Sequence, residues 1–145
     1  MLLKVITVGK LRDRALQARC AEYAKWIGGY GKLELRELAD SDVEREGNAI
    51  LKELEKDRSA CVVVLSEEGK EFTSVGFAEM VGKTDRKLVF VIGGPLGLSS
   101  AVKQRADLLW SLSRLTFTHE LARLLLMEQL FRAVNILGGG HYHNP

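Results

Sequence analysis

Three stretches of the chain carry groups that can hold a ligand or move a proton. The first is VFVIGGPLGLSS, residues 89–100, where an apolar β-prone run ends in three glycines and a proline. Glycines lack Cβ atoms, so a ligand can lie directly on their backbone, and Pro95 stiffens the turn by fixing one dihedral. Bare N–H and C=O groups can read a ligand with hydrogen-bonding edges, such as adenine. The loop is not a phosphate-binding P-loop, because no Gly-Lys-Ser/Thr follows. It is not GxGxxG either, since Pro95 interrupts and the spacing differs. A tight strand-to-helix turn alone would explain these glycines about as well.

The second stretch is Ser113-Arg114-Leu115-Thr116-Phe117-Thr118-His119. It gathers hydroxyls, a cation, an aromatic ring and an imidazole just before a long helical pattern. A lone histidine there serves a helix cap as readily as chemistry. The third is the tail, with His141, Tyr142 and His143. Two histidines in H-x-H spacing can ligate a metal, but no nearby acid or cysteine completes a set, and no metal is expected. A flexible tail is the ordinary reading. The sharper one has an aromatic ring and imidazoles reaching a substrate base.

The elements that must position these groups follow from periodicity. Apolar strand patterns run over 2–8, 33–38, 60–65, 87–92 and 108–113. Helical patterns run over 13–28, 41–56, 73–82, 100–106 and 119–137. Ser41-Asp42-Val43-Glu44 matches a capping box. Strand and helix alternate throughout, which predicts an α/β fold with a mostly parallel sheet flanked by helices. No linker, repeat or low-complexity tract divides residues 1–145, and a single domain is expected. Ligands of such sheets bind beyond the carboxyl ends of the strands. The ends to compare are Leu65 with SEEGKEF, Ile92 with GGPLG, and Ser113 with RLTFTH.

The helix over 119–137 is apolar around most of its circumference, which predicts burial on more than one side. In a chain of 145 residues this implies a partner subunit. Glu128 and Arg132 stand at i and i+4 in the favourable order, and Arg123 is left free to face an interface or a ligand. Cys20 and Cys61 read as reduced thiols, since no secretory signal or CxxC spacing is present. No apolar run reaches the ~20 residues of a membrane span, and a cytoplasmic location is expected. Net charge is only +2. Residues 1–36 carry eight bases against three acids, and residues 37–58 carry eight acids against four bases. The N-terminal excess can meet an anionic partner such as nucleic acid. A solvated helix face accounts for it equally.

The three stretches together resemble one family over essentially the whole chain. The sequence is similar to the small ribosomal RNA methyltransferases of the SPOUT superfamily, which methylate N3 of a pseudouridine in the large subunit. The likeness rests on LLKVITVGKL, on VIGGPLGLS, on WSLSRLTFTHELARLLLMEQLFRA and on the terminal Tyr142-His143. It implies a C-terminal trefoil knot, a rare exception to unknotted topology. It also implies a homodimer, S-adenosylmethionine as methyl donor, and large-subunit ribosomal RNA or the assembled ribosome as partner. The family's cofactor-binding positions fall on Leu65, Gly94, Ser113, Arg114, Leu115, Thr116, Phe117 and Thr118. His119, Arg123, Tyr142 and His143 are the candidates for handling a proton or stabilising negative charge. Two departures stand out: Leu96 where the family carries a glutamate, and Asn144 where it ends in arginine. Outside this reading stand methylation of another RNA position, a non-catalytic nucleotide-binding module, and a ribosome-associated structural dimer.

Overall fold

The computed structural model describes residues 1–145. Five strands form one sheet: β1 (Leu2–Val8), β2 (Lys32–Leu38), β3 (Cys61–Glu71), β4 (Leu88–Ile92) and β5 (Leu108–Ser111). Their order is β2-β1-β4-β3-β5, and every pairing is parallel. The helices are α1 (Arg14–Ile27), α2 (Val43–Leu54), α3 (Ser74–Lys83), α4 (Ser100–Arg105) and α5 (His119–Leu137). The alternation expected from the sequence is therefore observed, as an all-parallel sheet.

Two apolar layers explain the composition of the central strands. Leu3, Val5, Val63, Leu88 and Phe90 pack under α1, α3 and α5. Ile6, Val62, Val64, Val89 and Val91 pack under α2 and α4. Strands buried on both faces read as continuous apolar runs, which is what 60–65 and 87–92 display. Lys4 is the charged exception on β1, 1% exposed and aimed at α2. Its ammonium is held by Asp57 at 2.8 Å and Glu53 at 3.1 Å.

Four local readings change. β3 does not end at Leu65: it resumes at Lys70, and both Leu65 and Lys70 register with Trp110. Ser66–Gly69 bulge out between them. Gly69 is required there, because a Cβ would lie 2.4 Å from the Leu109 carbonyl carbon. α2 is capped by Asp42, which accepts from Arg45 N, and not by Ser41. Ser41 N instead donates to Glu46 at 2.7 Å. α5 is capped by Thr118, which leaves His119 as its first residue. α5 also covers much of its apolar surface within the chain, against α1 and α3. Its apolar circumference does not by itself require a second subunit, although Leu121 and Leu137 stay exposed.

Candidate functional site

A cleft of about 850 Å³ opens at the bulge of β3 and the carboxyl ends of β4 and β5. Leu65, Gly94 and Ser113 all line it, so the break in β3 and the segments after β4 and β5 converge; Leu65 was expected as a strand end and is instead the point where the β3 ladder is interrupted. Leu115, Thr116, Phe117, Thr118 and His119 line it as well. Trp110 closes the inner end, stacked on Phe77 with centroids 4.2 Å apart. Arg114 is the exception among the expected cofactor residues. Its side chain points to solvent, 92% exposed, with Glu71 3.4 Å away.

The loop over 93–97 is shaped by two glycines with different reasons. Gly97 has φ +86°, a left-handed conformation suited to glycine, and open space where a Cβ would stand. Gly94 lies against α2, where a Cβ would come within 3.2 Å of Glu46 Oε1. That oxygen is buried and has no donor in the chain. The hydroxyl-rich segment is ordered by its own bonds. Ser111 Oγ donates to Ser113 O, Leu115 N donates to Ser113 Oγ, and Thr116 Oγ1 donates to Glu67 Oε1 at 2.8 Å.

Two carboxylates missed by the sequence reading enter the cleft from the β3 bulge. Glu67 meets Thr116, and Glu68 meets Lys103 of α4 at 3.1 Å. They were hidden because SEEGKEF reads as a plain loop. Glu46 was also missed, although it sits on the inward stripe of α2 with Ile50 and Leu54. A polar residue on an apolar stripe was the available signal.

The proposed catalytic residues do not share one place. His119 lines the cleft, with its Nε2 4.0 Å from where a Gly9 Cβ would stand. Arg123 is not free, contrary to expectation. It is 8% exposed, its Nη1 donates to Glu37 at 2.8 Å, and its Nη2 donates to the Gly9 carbonyl at 2.9 Å. Tyr142 and His143 pack at the far end of α5. Tyr142 N donates to Asn135 Oδ1, and its ring lies 4.8 Å from Phe131. Its hydroxyl is 3.3 Å from that of Tyr23, and His143 Nδ1 is 2.9 Å from Arg132 Nη1. The tail is thus seated on the chain, where a flexible one was expected. Arg132 also holds Glu128 at 2.7 Å, the pairing their spacing indicates. Burial, then the Tyr23 hydrogen bond and Glu128, push the Tyr142 phenol up to about 12. It therefore remains a proton donor at neutral pH.

The residues of the cleft suit an adenosyl sulfonium ligand. Apolar Leu65, Leu98 and Leu112 offer surface to a flat base. Open backbone at Gly97 leaves room for close approach, and the Glu67 and Glu68 carboxylates suit cationic groups.

A parallel sheet with a cleft beyond its strand ends, bordered by a glycine loop and a hydroxyl-rich segment, is the architecture of an α/β ligand-binding protein. The family model described as "Predicted SPOUT methyltransferase" matches residues 1–143. The chain belongs to that methyltransferase family. It is 42% identical over 152 residues to "Ribosomal RNA large subunit methyltransferase H" of Gloeobacter violaceus, covering 99% of each chain. It is 43% identical over 160 residues to the protein so named from Streptococcus pneumoniae, again covering 99% of each. Among solved structures it resembles a tRNA (m1G37) methyltransferase from Aquifex aeolicus. The TM-score is 0.59 at 14% identity, covering 91% of this chain and 70% of that one. At that identity the likeness concerns fold alone.

Proposed function

We propose that this protein methylates N3 of a pseudouridine in large-subunit ribosomal RNA, with S-adenosylmethionine as donor. The convergence of Leu65, Gly94 and Ser113 on one cleft carries the reading. The relatives named as large-subunit methyltransferases support the substrate class. Leu65, Gly94 and Ser113–Thr118 would hold the donor. Within that segment Arg114 faces solvent, so its contribution is to electrostatics at the mouth. Bound S-adenosylmethionine supplies the electrophilic methyl group.

The chain's own work is to place the base and take its proton. An imide N3 is a poor nucleophile until it loses its proton, so a base within hydrogen-bond reach is needed. His119 lines the cleft and accepts that proton in this reading. Tyr142 and His143 cannot serve the same cleft from their own chain. The 19-residue α5 separates the cleft from the tail, and at 1.5 Å per residue it spans about 28 Å. A homodimer with antiparallel α5 helices brings the tail of one subunit to the cleft of the other. The Tyr142 hydroxyl, protonated at neutral pH, then donates to a carbonyl of the base. Arg123 acts indirectly, by fixing Gly9 beside His119. The remaining family features, a trefoil knot and action on the assembled ribosome in the cytoplasm, belong to the same proposal. No helix of the chain is long and apolar enough to cross a membrane.

Methyl transfer to ribosomes with and without the pseudouridine tests the reading. Incorporation only into the pseudouridylated ribosomes is expected. Equal incorporation into both overturns the assignment of the base. Calorimetry that detects no S-adenosylmethionine binding overturns the enzymatic reading.

A further inference from the structure

A second cavity, of about 400 Å³, lies beside the cleft on the α1–α5 side of the sheet. Its volume falls within the range of small-molecule sites, about 300–1,000 Å³. Gly9 links a residue of each cavity. Its backbone faces His119 of the cleft, and its carbonyl holds Arg123 of the second cavity. Val5, Leu11, Leu35 and Met127 give this cavity apolar walls. Leu35, on the edge strand β2, is 56% exposed and forms an open ledge at the mouth.

The polar end is incomplete. Arg123 is 8% exposed, and both Nη atoms are engaged, yet its Nε finds no acceptor. Buried donors without partners are rare in folded proteins and call for an explanation. Glu37 is matched by Arg123 and the lining Arg36 by Glu53 at 3.3 Å, so Lys10 at the rim leaves the cavity an uncompensated positive charge. Aliphatic walls, one unsatisfied donor and a cation at the entrance match the chemistry of a nucleotide. Single-stranded RNA is commonly read through splayed bases held at their edges.

We propose that this cavity is a second nucleotide subsite. It takes an unstacked base of the strand flanking the methylated residue, between Leu35 and Met127. An acceptor on the base edge meets Arg123 Nε–H, and the flanking phosphate meets Lys10. The proposal rests on the reading of the chain as an RNA methyltransferase.

Two variants at the mouth test it: Lys10→Ala, and Ala21→Phe, which adds bulk at an exposed position of α1 that lines the cavity. The probe is uridine 5′-monophosphate, titrated against the ¹⁵N-labelled full chain. Amides of Lys10, Ala21 and Leu35 shift in the parent protein, and the shifts disappear in Ala21→Phe. In both variants KM for ribosomes rises about tenfold or more, while the affinity for S-adenosylmethionine in calorimetry stays that of the parent. An unchanged KM in Ala21→Phe overturns the subsite, as do shifts confined to cleft residues such as Leu115. Loss of a sedimenting dimer in Ala21→Phe assigns the cavity to a subunit contact and overturns it too. A parent protein that transfers no methyl group defeats the enzymatic reading, whereas the nucleotide titration still decides the subsite.

Discussion

His119 and Tyr142 show how differently two candidate residues can be placed by one helix. His119 begins α5 and faces the cleft, while Tyr142 follows its end and is pinned to Asn135 and Phe131. A general base contributes about 10²–10⁴-fold to rate. His119→Ala is therefore expected to lower kcat by that factor and leave donor affinity intact, as single-turnover kinetics and calorimetry can check. The double variant Tyr142→Phe with His143→Ala should abolish methylation and spare donor binding. Turnover equal to the parent's removes the tail from the mechanism. Mixing it with His119→Ala separates tail action in trans from action in cis. If the tail serves the partner's cleft, mixed dimers regain part of the activity, because one of their two clefts is then complete.

At the scale of the element, the join between β3 and β5 depends on Gly69. A Cβ there meets Leu109 C and O and Trp110 N at 2.4–2.5 Å, all backbone atoms that cannot rotate away. Forcing extra atoms into such contacts costs about 1–3 kcal/mol, so Gly69→Ala should lower the urea midpoint accordingly. Thr118→Ala removes the α5 cap and should cost about 1 kcal/mol in the same measurement. These two elements also mark where the sequence was legible. Alternation and periodicity located all five strands and five helices, because most of these patterns answer to burial that repeats locally; the edge strand β2 shows alternation with no buried residue. The extension of β3 past Leu65 was not legible. Ser66–Glu71 carry no apolar run, and their pairing is set by Trp110, some forty positions away in sequence. Nor was the fate of Arg123, whose partners Gly9 and Glu37 come from β1's end and an edge strand. The cleft itself was foreseeable from the segments after Leu65, Ile92 and Ser113, although Leu65 is a break in β3 and not its end; the carboxylates of the bulge were not.

At the scale of the molecule, one charged network ties the sheet to α2. Lys4 and Lys87 share Asp57, with Glu53 and Glu34 beside them. Burial pushes the Asp57 carboxyl up, but hydrogen bonds from Lys4 and Lys87 more than reverse this and hold it below the usual range. Glu53 behaves alike through Lys56 and Lys4. Burial opposes the charge on Lys4, yet Asp57 and Glu53 raise it above its ordinary 10.5. For the two acids, the stabilisation is complete above the ordinary carboxylate values and is lost as pH falls through the lowered native ones. For Lys4 it is complete below 10.5 and is lost as pH rises through the raised native value. Denaturation midpoints should therefore hold level near neutrality and decline below about pH 4. Lys4→Met removes one cation from each acid but leaves Lys87 on Asp57 and Lys56 on Glu53, so it should cost about 1–3 kcal/mol at pH 7, short of the loss expected for a buried charge left alone. The variant should also show a shallower acid decline, since less depends on those acids being ionised.

The stagger in β3 gives this cleft a rim that the sheet does not feel. Ladder pairing runs up to Leu65 and resumes at Lys70, so Ser66, Glu67 and Glu68 have no partner in the neighbouring strand, while Gly69 packs on the β5 backbone. Segments of other lengths and charges can be spliced there while the scaffold keeps its register, with Gly69 retained as the hinge pin. Ligand preference and foldability are thereby uncoupled at this one seam, which makes it the natural place to retune the enzyme.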